Sequence, residues 1–266
     1  MRNIYPLFEG NRILKKEMLW SLRDYSFAHI QLEYQEYGQG FLRGCDVRAE
    51  DGVLTVAPGL VKCGRFICLL TEEMKVSYEA MNRMQYLKLR VMTDFNSADY
   101  ICYQMELVLD TLDSKEENEF ELCRFHLREG ARLRDAYTGF RDLETEYDTV
   151  NRLESDWGGL GGWSVDPVIT RCFGESILSG EGGSAEDCQF AYFCLNCAGA
   201  LPQGMLQRYL ARRVNGGAGI NGGAGRKDGG MSRKEMYRAM CRIVDEVGGG
   251  GKKEKRGGGW RGIWVD

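Results

Sequence analysis

Leu87-Lys-Leu-Arg-Val-Met92 and, past a turn-rich interval, Ile101-Cys-Tyr-Gln-Met-Glu-Leu-Val-Leu-Asp110 decide the fold class. In the first run Leu87, Leu89 and Val91 alternate with Lys88, Arg90 and Met92. In the second, Ile101, Tyr103, Met105, Leu107 and Leu109 alternate with Cys102, Gln104, Glu106, Val108 and Asp110. A period of two places one side chain set on each face of a strand. Asp94, Asn96, Ser97 and Asp99 supply turn residues between the runs, which therefore read as a long antiparallel hairpin with one face toward a core.

Period two extends outward in both directions, over about 41 to 127. Asp51-Gly52, Pro58-Gly59 and Cys63-Gly64 punctuate short strands around Val53–Val56 and Phe66–Leu70. Downstream, Phe120 and Leu122 lie in one phase and Cys123, Phe125 and Leu127 in the other, which predicts a bulge. Short strands at close turn spacing predict a β-sandwich or barrel-like sheet domain over 41–130.

Before the strands the period is helical. Ile13, Trp20, Phe27 and Tyr34 recur every seven residues, with Ile30 and Tyr37 at the companion spacing, and no Gly or Pro falls between Ile13 and Tyr37. The pattern predicts a long amphipathic helix in 1–40 ended by Gly38 and Gly40. A second apolar line, Leu14, Met18, Leu22 and Tyr25, lies elsewhere on the same helix, so neighbours are expected on more than one side. Residues 131–165 lose periodicity and read as an acidic, loop-rich connection. In 166–214, Asp166-Pro167 and a Ser184/Asp187 capping box open helices. Ser232 and Glu235 form another box, ahead of Met236, Tyr237, Met240, Ile243, Val244 and Val247 on one face. Residues 231–247 are thus an amphipathic helix, tethered by a Gly-rich linker at 215–230 and followed by a basic Gly/Trp tail at 248–266. The expected class is α+β: N-terminal helix, antiparallel sandwich, small helical C-terminal region.

Charge divides the chain in the same way. Residues 1–200 carry 21 Lys+Arg and 33 Asp+Glu, whereas 201–266 carry 14 and 6, and 17 of the 35 glycines fall in the latter segment. With 43% hydrophobic and 28% charged residues, composition excludes collagen, a disulfide-stapled miniprotein and wholesale disorder. The ten cysteines are spread through apolar patterns and read as reduced thiols of a cytoplasmic or particle-associated protein. Charges interrupt the first twenty residues, so a secretory signal is not expected. The longest apolar stretch, near Phe190–Leu201, falls short of the ~20 residues of a membrane span and reads as a buried helix.

Tests for chemistry find no coherent catalytic set. Gly217-Ala-Gly219-Ile-Asn-Gly222 matches G-x-G-x-x-G but follows a helical segment inside a glycine repeat, and no P-loop occurs. Cys194 and Cys197 form one C-x-x-C without a second pair or a nearby histidine, and read as core thiols. Asp142, Glu144, Glu146 and Asp148 read as a solvated acidic face, His126 as a surface residue and His29 as a packing residue. No enzyme and no cofactor or metal is expected. Lys252, Lys253, Lys255 and Arg256 with Trp260 and Trp264 form a small basic tip suited to phosphates and bases or to an acidic protein surface. Nucleic-acid association through it is the alternative to the leading reading.

Tyr37-Gly38-Gln-Gly40-Phe-Leu-Arg-Gly44-Cys-Asp-Val47, followed by Gly52-Val-Leu-Thr-Val-Ala-Pro-Gly59 and Gly64-Arg-Phe-Ile67, resembles the N-terminal region of phage tail baseplate and fibre-attachment proteins. It is also similar to the shell domain of the baseplate adaptor of type VI secretion systems. The resemblance covers about 25–70. It implies a helix leading into a β-sandwich, a V-x-P-G turn at its edge, and a non-enzymatic structural subunit that assembles as a homo-oligomer with other tail or baseplate proteins. The expected assembly residues are Trp20, Phe27, Tyr34 and Tyr37, the turn residues Pro58 and Gly59, and the helix face Met236, Met240 and Ile243.

Overall fold

The computed structural model describes residues 13–94, 102–214 and 230–249. The hairpin turn at 95–101, the linker at 215–229 and the tail at 250–266, with its Lys252, Lys253, Lys255, Arg256, Trp260 and Trp264, lie outside the described residues. Helix α1 is Lys16–Tyr34. Strands β1 (Gly40–Gly44), β2 (Val47–Glu50), β3 (Val53–Val56), β4 (Gly59–Cys63), β5 (Phe66–Leu70) and β6 (Met74–Ser77) follow in quick succession. Then come β7 (Met84–Asp94), β8 (Cys102–Asp110) and β9 (Glu119–His126), a 3-10 turn at Phe140–Glu144, and the short β10 (Trp157–Gly159) and β11 (Gly162–Ser164). Helices α2 (Pro167–Ser179), α3 (Ala185–Asn196), α4 (Gln203–Val214) and α5 (Arg233–Gly248) complete the described chain.

The hairpin read from the alternation pairs as expected: Leu87 faces Leu109, Leu89 faces Leu107 and Val91 faces Met105. On the other edge of β7, Leu87 pairs with Cys123 and Lys88 with Glu121, which leaves Leu122 as the extra residue of a bulge in β9. The mixed α+β class is as expected, with mostly antiparallel strands, but the predicted sandwich is not confirmed. The described strands divide among three sheets, ordered β11-β10-β1-β4-β5, β2-β3-β6 and β8-β7-β9. The cause is local: strands of four and five residues are separated by left-handed positions at Gly44, Cys45, Asp51, Gly52 and Gly64, which redirect the chain before a wide sheet accumulates. The sheets are mostly antiparallel, but β1 pairs with β10 in parallel, Phe41 opposite Trp157. Gly40, at φ +109°, permits this approach, because a Cβ there would collide with the Asp156 carbonyl that accepts from Phe41 N–H at 2.8 Å.

The predicted long N-terminal helix, Ile13 to Tyr37, is also shorter. It begins after Lys15, which makes no side-chain capping bond, and ends at Tyr34, where the following carbonyls turn toward another strand. Two apolar cores lie behind these elements. One gathers Phe41, Leu54, Val56, Val61, Leu87, Leu89, Phe125 and Trp157 from the sheets. The other gathers Phe140, Ile169, Phe173, Phe190, Tyr209, Met236, Tyr237 and Met240 from the helices. Asp166 caps α2 through Val168 N–H, and both capping boxes, Ser184/Asp187 and Ser232/Glu235, are formed. Residues between β9 and α2 enter both cores, Leu133 and Val150 on the sheet side, Phe140, Leu143 and Leu153 on the helical side.

Arg152 joins the two halves. It is 6% exposed, donates to Val47 O at 2.5 Å, and stands 3.9 Å from both Asp46 and the buried cap Asp166.

Candidate assembly surface

Helix α1 is anchored at one end. Its last turn has no basic residue of its own, yet the carbonyls there are orphaned by helix geometry and carry the negative end of the dipole. Lys62, on β4 and only 8% exposed, answers both needs. Its Nζ donates to the carbonyls of Tyr34 at 2.9 Å, Gln35 at 2.9 Å and Tyr37 at 2.7 Å. Burial lowers the Lys62 pKa from the ordinary lysine value. Around this cap, Gly38 N–H donates to Gly159 O, Gly161 N–H to Glu36 O, and the Gln39 amide to Gly64 O. The Tyr34 and Tyr37 rings meet edge to face at 5.0 Å.

Above that base most of the helix is exposed, with Met18, Ser21 and Ile30 half-buried. Tyr34 is buried and Tyr37 half-buried, but Trp20 is 45% and Phe27 61% exposed, and Leu14, Leu19, Leu22, Tyr25 and Leu32 are exposed as well. Lys16 lies over the Trp20 ring at 4.4 Å. Among the described residues, full burial on this helix is reached at Tyr34 in the last turn, beyond the half-buried Met18, Ser21 and Ile30. His29 is not packed in a core; it is exposed and stacked beside Tyr25.

The other expected assembly residues lie elsewhere. Met236, Met240 and Ile243 are buried in the chain's own helical core, where α5 packs against α2, α4 and the 3-10 turn. Tyr237 donates to Phe140 O at 2.7 Å, and Arg213 joins Asp187 of α3 to Glu246 of α5. Gly59 is pressed against Cys45, whose N–H donates to Pro58 O at 3.1 Å, so the Pro58-Gly59 turn closes the β1–β4 pair. The stretch Phe190–Leu201, read as a buried helix, buries only one side: Phe190, Ala191 and Cys194 are inside, whereas Tyr192, Phe193 and Leu195 are exposed. An apolar run does not show which of its residues the fold leaves outside.

The groups weighed for chemistry have structural partners. Burial pushes the Cys194 thiol up to about 12, and Cys197 caps the end of the same helix. All ten cysteines are free. Asp142 is not a solvated carboxylate: Arg134, Thr138 and Thr145 donate to it, with Arg134 the largest cause of a pKa far below the usual range. Asp148 accepts from Arg128. His126 is half-buried, 3.2 Å from Asn82 Oδ1, with its ring against Tyr147. Among the described residues no cluster of His, Cys, Asp and Glu is disposed to hold a metal ion, and no helix is long and apolar enough to cross a membrane. Clefts also occur among the described residues. One lies between Asp51, Tyr78, Leu127 and Arg132; another, of mixed charge, lies between Arg124, Glu144, Glu146, Lys234 and Arg238.

The sequence matches no protein-family model and no curated protein. Among solved structures the chain is similar to TssK in a crystal structure, at 9% identity and a TM-score of 0.40, over 92% of this chain and 70% of that one. It is similar also to a chain of the type VI secretion TssK–TssF–TssG baseplate subcomplex, at 8% identity and 0.39, over 92% of this chain and all of the other. A chain of the type VI secretion baseplate complex aligns at 9% identity and 0.33 over the same shares.

Proposed function

We propose that this chain is a structural subunit of a baseplate of the contractile-tail or injection-machine type, and that α1 is the part by which it is built into the assembly. The observation that carries this reading is a helix capped and seated at its C-terminal end by Lys62, with Trp20 and Phe27 standing in water beyond the seat. Exposed aromatics of this size are the side chains that anchor protein interfaces. The resemblance of residues 37–67 to the shell region of baseplate proteins directs the reading to that class of machine. Its partner on the Trp20 face is another baseplate protein, held by burial of apolar surface.

Recovery of the tagged chain from its native cells tests this. Tail-tube or baseplate components are expected to accompany the wild type and to be lost from a Trp20→Ala, Phe27→Ala double variant. Recovery without any such component, or undiminished retention by the double variant, would overturn the reading.

A further inference from the structure

Strand β8 is the outer strand of its sheet, and its free edge can be derived residue by residue. Val91 of β7 donates its N–H to Asn118 O at 3.0 Å and accepts from the Asn118 amide at 2.9 Å, so both of its backbone groups point toward β9. In an antiparallel pair the N–H and C=O of one residue point the same way and successive residues alternate. Lys88, Arg90 and Met92 therefore point to β8, where they stand opposite Val108, Glu106 and Gln104. Tyr103, Met105, Leu107 and Leu109 turn their N–H and C=O groups to the open side. Among the described residues no hydrogen bond reaches these outward groups.

Other edges are covered. Along β9, Asn151 exchanges both bonds with Arg124, and Glu146 O accepts from His126 N–H. On β2, Arg152 donates to Val47 O and Asp135 accepts from Ala49 N–H. Strand β6 approaches β8, but no ladder joins the two, and its four residues can flank only part of nine.

The side chains of β8 show the same incompleteness. Leu87, Leu89 and Val91 are 0%, 0% and 2% exposed, whereas Leu109, Leu107 and Met105 opposite them are only half-buried. A strand added outside β8 would cover that row. The strand lacks the features that turn a newcomer away: it contains no Pro, Gly or Lys and runs along β7 without a bulge. Its charged residues are Glu106 and Asp110, whose side chains stay 40% and 32% exposed beside Arg90 and Lys88. A second copy of β8 would bring only acids to that face, so charge favours a strand of a different protein with Lys or Arg in its polar phase.

We infer that β8 accepts an extended segment of another protein as a further strand of its sheet. The segment bonds to the backbone of Tyr103, Met105, Leu107 and Leu109, lays apolar residues over the row they form, and sets basic residues beside Glu106 and Asp110. This inference is independent of the role proposed for α1, and either can fail while the other holds.

Amide exchange followed by NMR on the full chain tests it, with an acetylated, amidated nonapeptide of alternating valine and lysine as the probe. In the free chain the amides of Tyr103, Met105, Leu107 and Leu109 are expected to exchange at least about tenfold faster than those of Gln104, Glu106 and Val108. Peptide at about 1 mM is expected to slow the first set at least about tenfold. The same peptide with glutamate in place of lysine is expected to bind at least about tenfold more weakly at low salt. Leu107→Pro removes an outward N–H but no bond to β7, and is expected to abolish the slowing. Should that variant unfold, the wild type with a peptide N-methylated at its valines gives the same information, because those valines then have no N–H to offer β8. Outward amides already slow in the free chain, or no slowing by the lysine peptide at about 1 mM, would overturn the inference. So would equal binding of the glutamate peptide, or undiminished binding after Leu107→Pro or N-methylation.

Discussion

Replacing Lys62 by Met removes the ammonium that caps α1 while keeping an unbranched stem of similar length in the same place. Three carbonyls, of Tyr34, Gln35 and Tyr37, lose their donor. Counted separately, hydrogen bonds to a charged group are worth ~1.5–3 kcal/mol each, but here that count is too high. Tyr34 O keeps a second donor in Tyr37 N–H at 3.1 Å, Gln35 is exposed to water, and the variant no longer desolvates a cation. A cation at a partly buried helix C-terminus contributes up to ~2 kcal/mol, and one net hydrogen bond ~1 kcal/mol, so the expected cost is about 3 kcal/mol. Hydrogen exchange is the direct assay, because Tyr37, Gly38 and Gly161 N–H groups report the seat of the helix one by one. Their protection is expected to fall first and furthest, with a lower urea midpoint for the sheet half that holds β4. A loss below about 1 kcal/mol, or unchanged protection at these three amides, would refute the view that Lys62 seats the helix.

Two further outcomes follow from buried charge. Arg152→Met leaves Asp166 buried beside Asp46 without its cation, and loss of one partner of a buried pair costs ~3–5 kcal/mol; Asp166→Asn in the same chain, which keeps an acceptor for Val168 N–H, is expected to restore a large part, and a double-variant cycle showing no coupling would sink the pairing. Asp142, whose pKa is held down chiefly by Arg134, contributes stability that is complete above the unfolded aspartate value of about 3.9 and is lost as pH falls toward its folded value. Asp142→Asn should therefore be less stable at neutral pH and lose less between about pH 4 and 2 than the wild type; parallel melting-temperature profiles would contradict this. Glu121, raised by burial against the opposing pull of Arg124, acts with the opposite sign, so the difference between the two proteins and not the whole profile is the test.

What could be read in the sequence was what local chemistry decides. The β7–β8 hairpin follows from alternation because a strand half-buried on one face leaves that trace, and the Ser184 and Ser232 caps follow from residues three apart. The exceptions share one cause, a partner far away in the chain. Lys88 falls in the polar phase of β7 and so reads as solvent-facing, yet it is 1% exposed, with its Nζ on Asp110, Leu112 O and Ser114 O. Lys62 and Arg152 hide their roles in the same way, since nothing near either residue names the carbonyls or carboxylates it meets. The parallel pairing of β10 with β1 rests on three residues, Trp157-Gly-Gly159, too few to show a period. The division of the described strands among three sheets was hidden for the same reason.

Helices α1 and α5 show why an amphipathic pattern alone does not reveal an assembly surface. Both carry apolar residues at helical spacing, but the fold covers Met236, Met240 and Ile243 of α5 and leaves Trp20, Leu22, Tyr25 and Phe27 of α1 in water. Periodicity says that a face must be covered and is silent on whether the same chain does so. An isolated helix of 19 residues is only marginally stable in water, and most of α1 is exposed, with little packing from the other described residues to support it. Its cap at Lys62 is therefore a main support among the described residues, and under the proposed role a preformed helix would bind without the cost of ordering one. Lys62→Met does not touch the Trp20 side, yet it should weaken recovery of partners in proportion to the helix it melts. Undiminished recovery by a variant whose α1 has lost helix content would place the contact elsewhere than on α1.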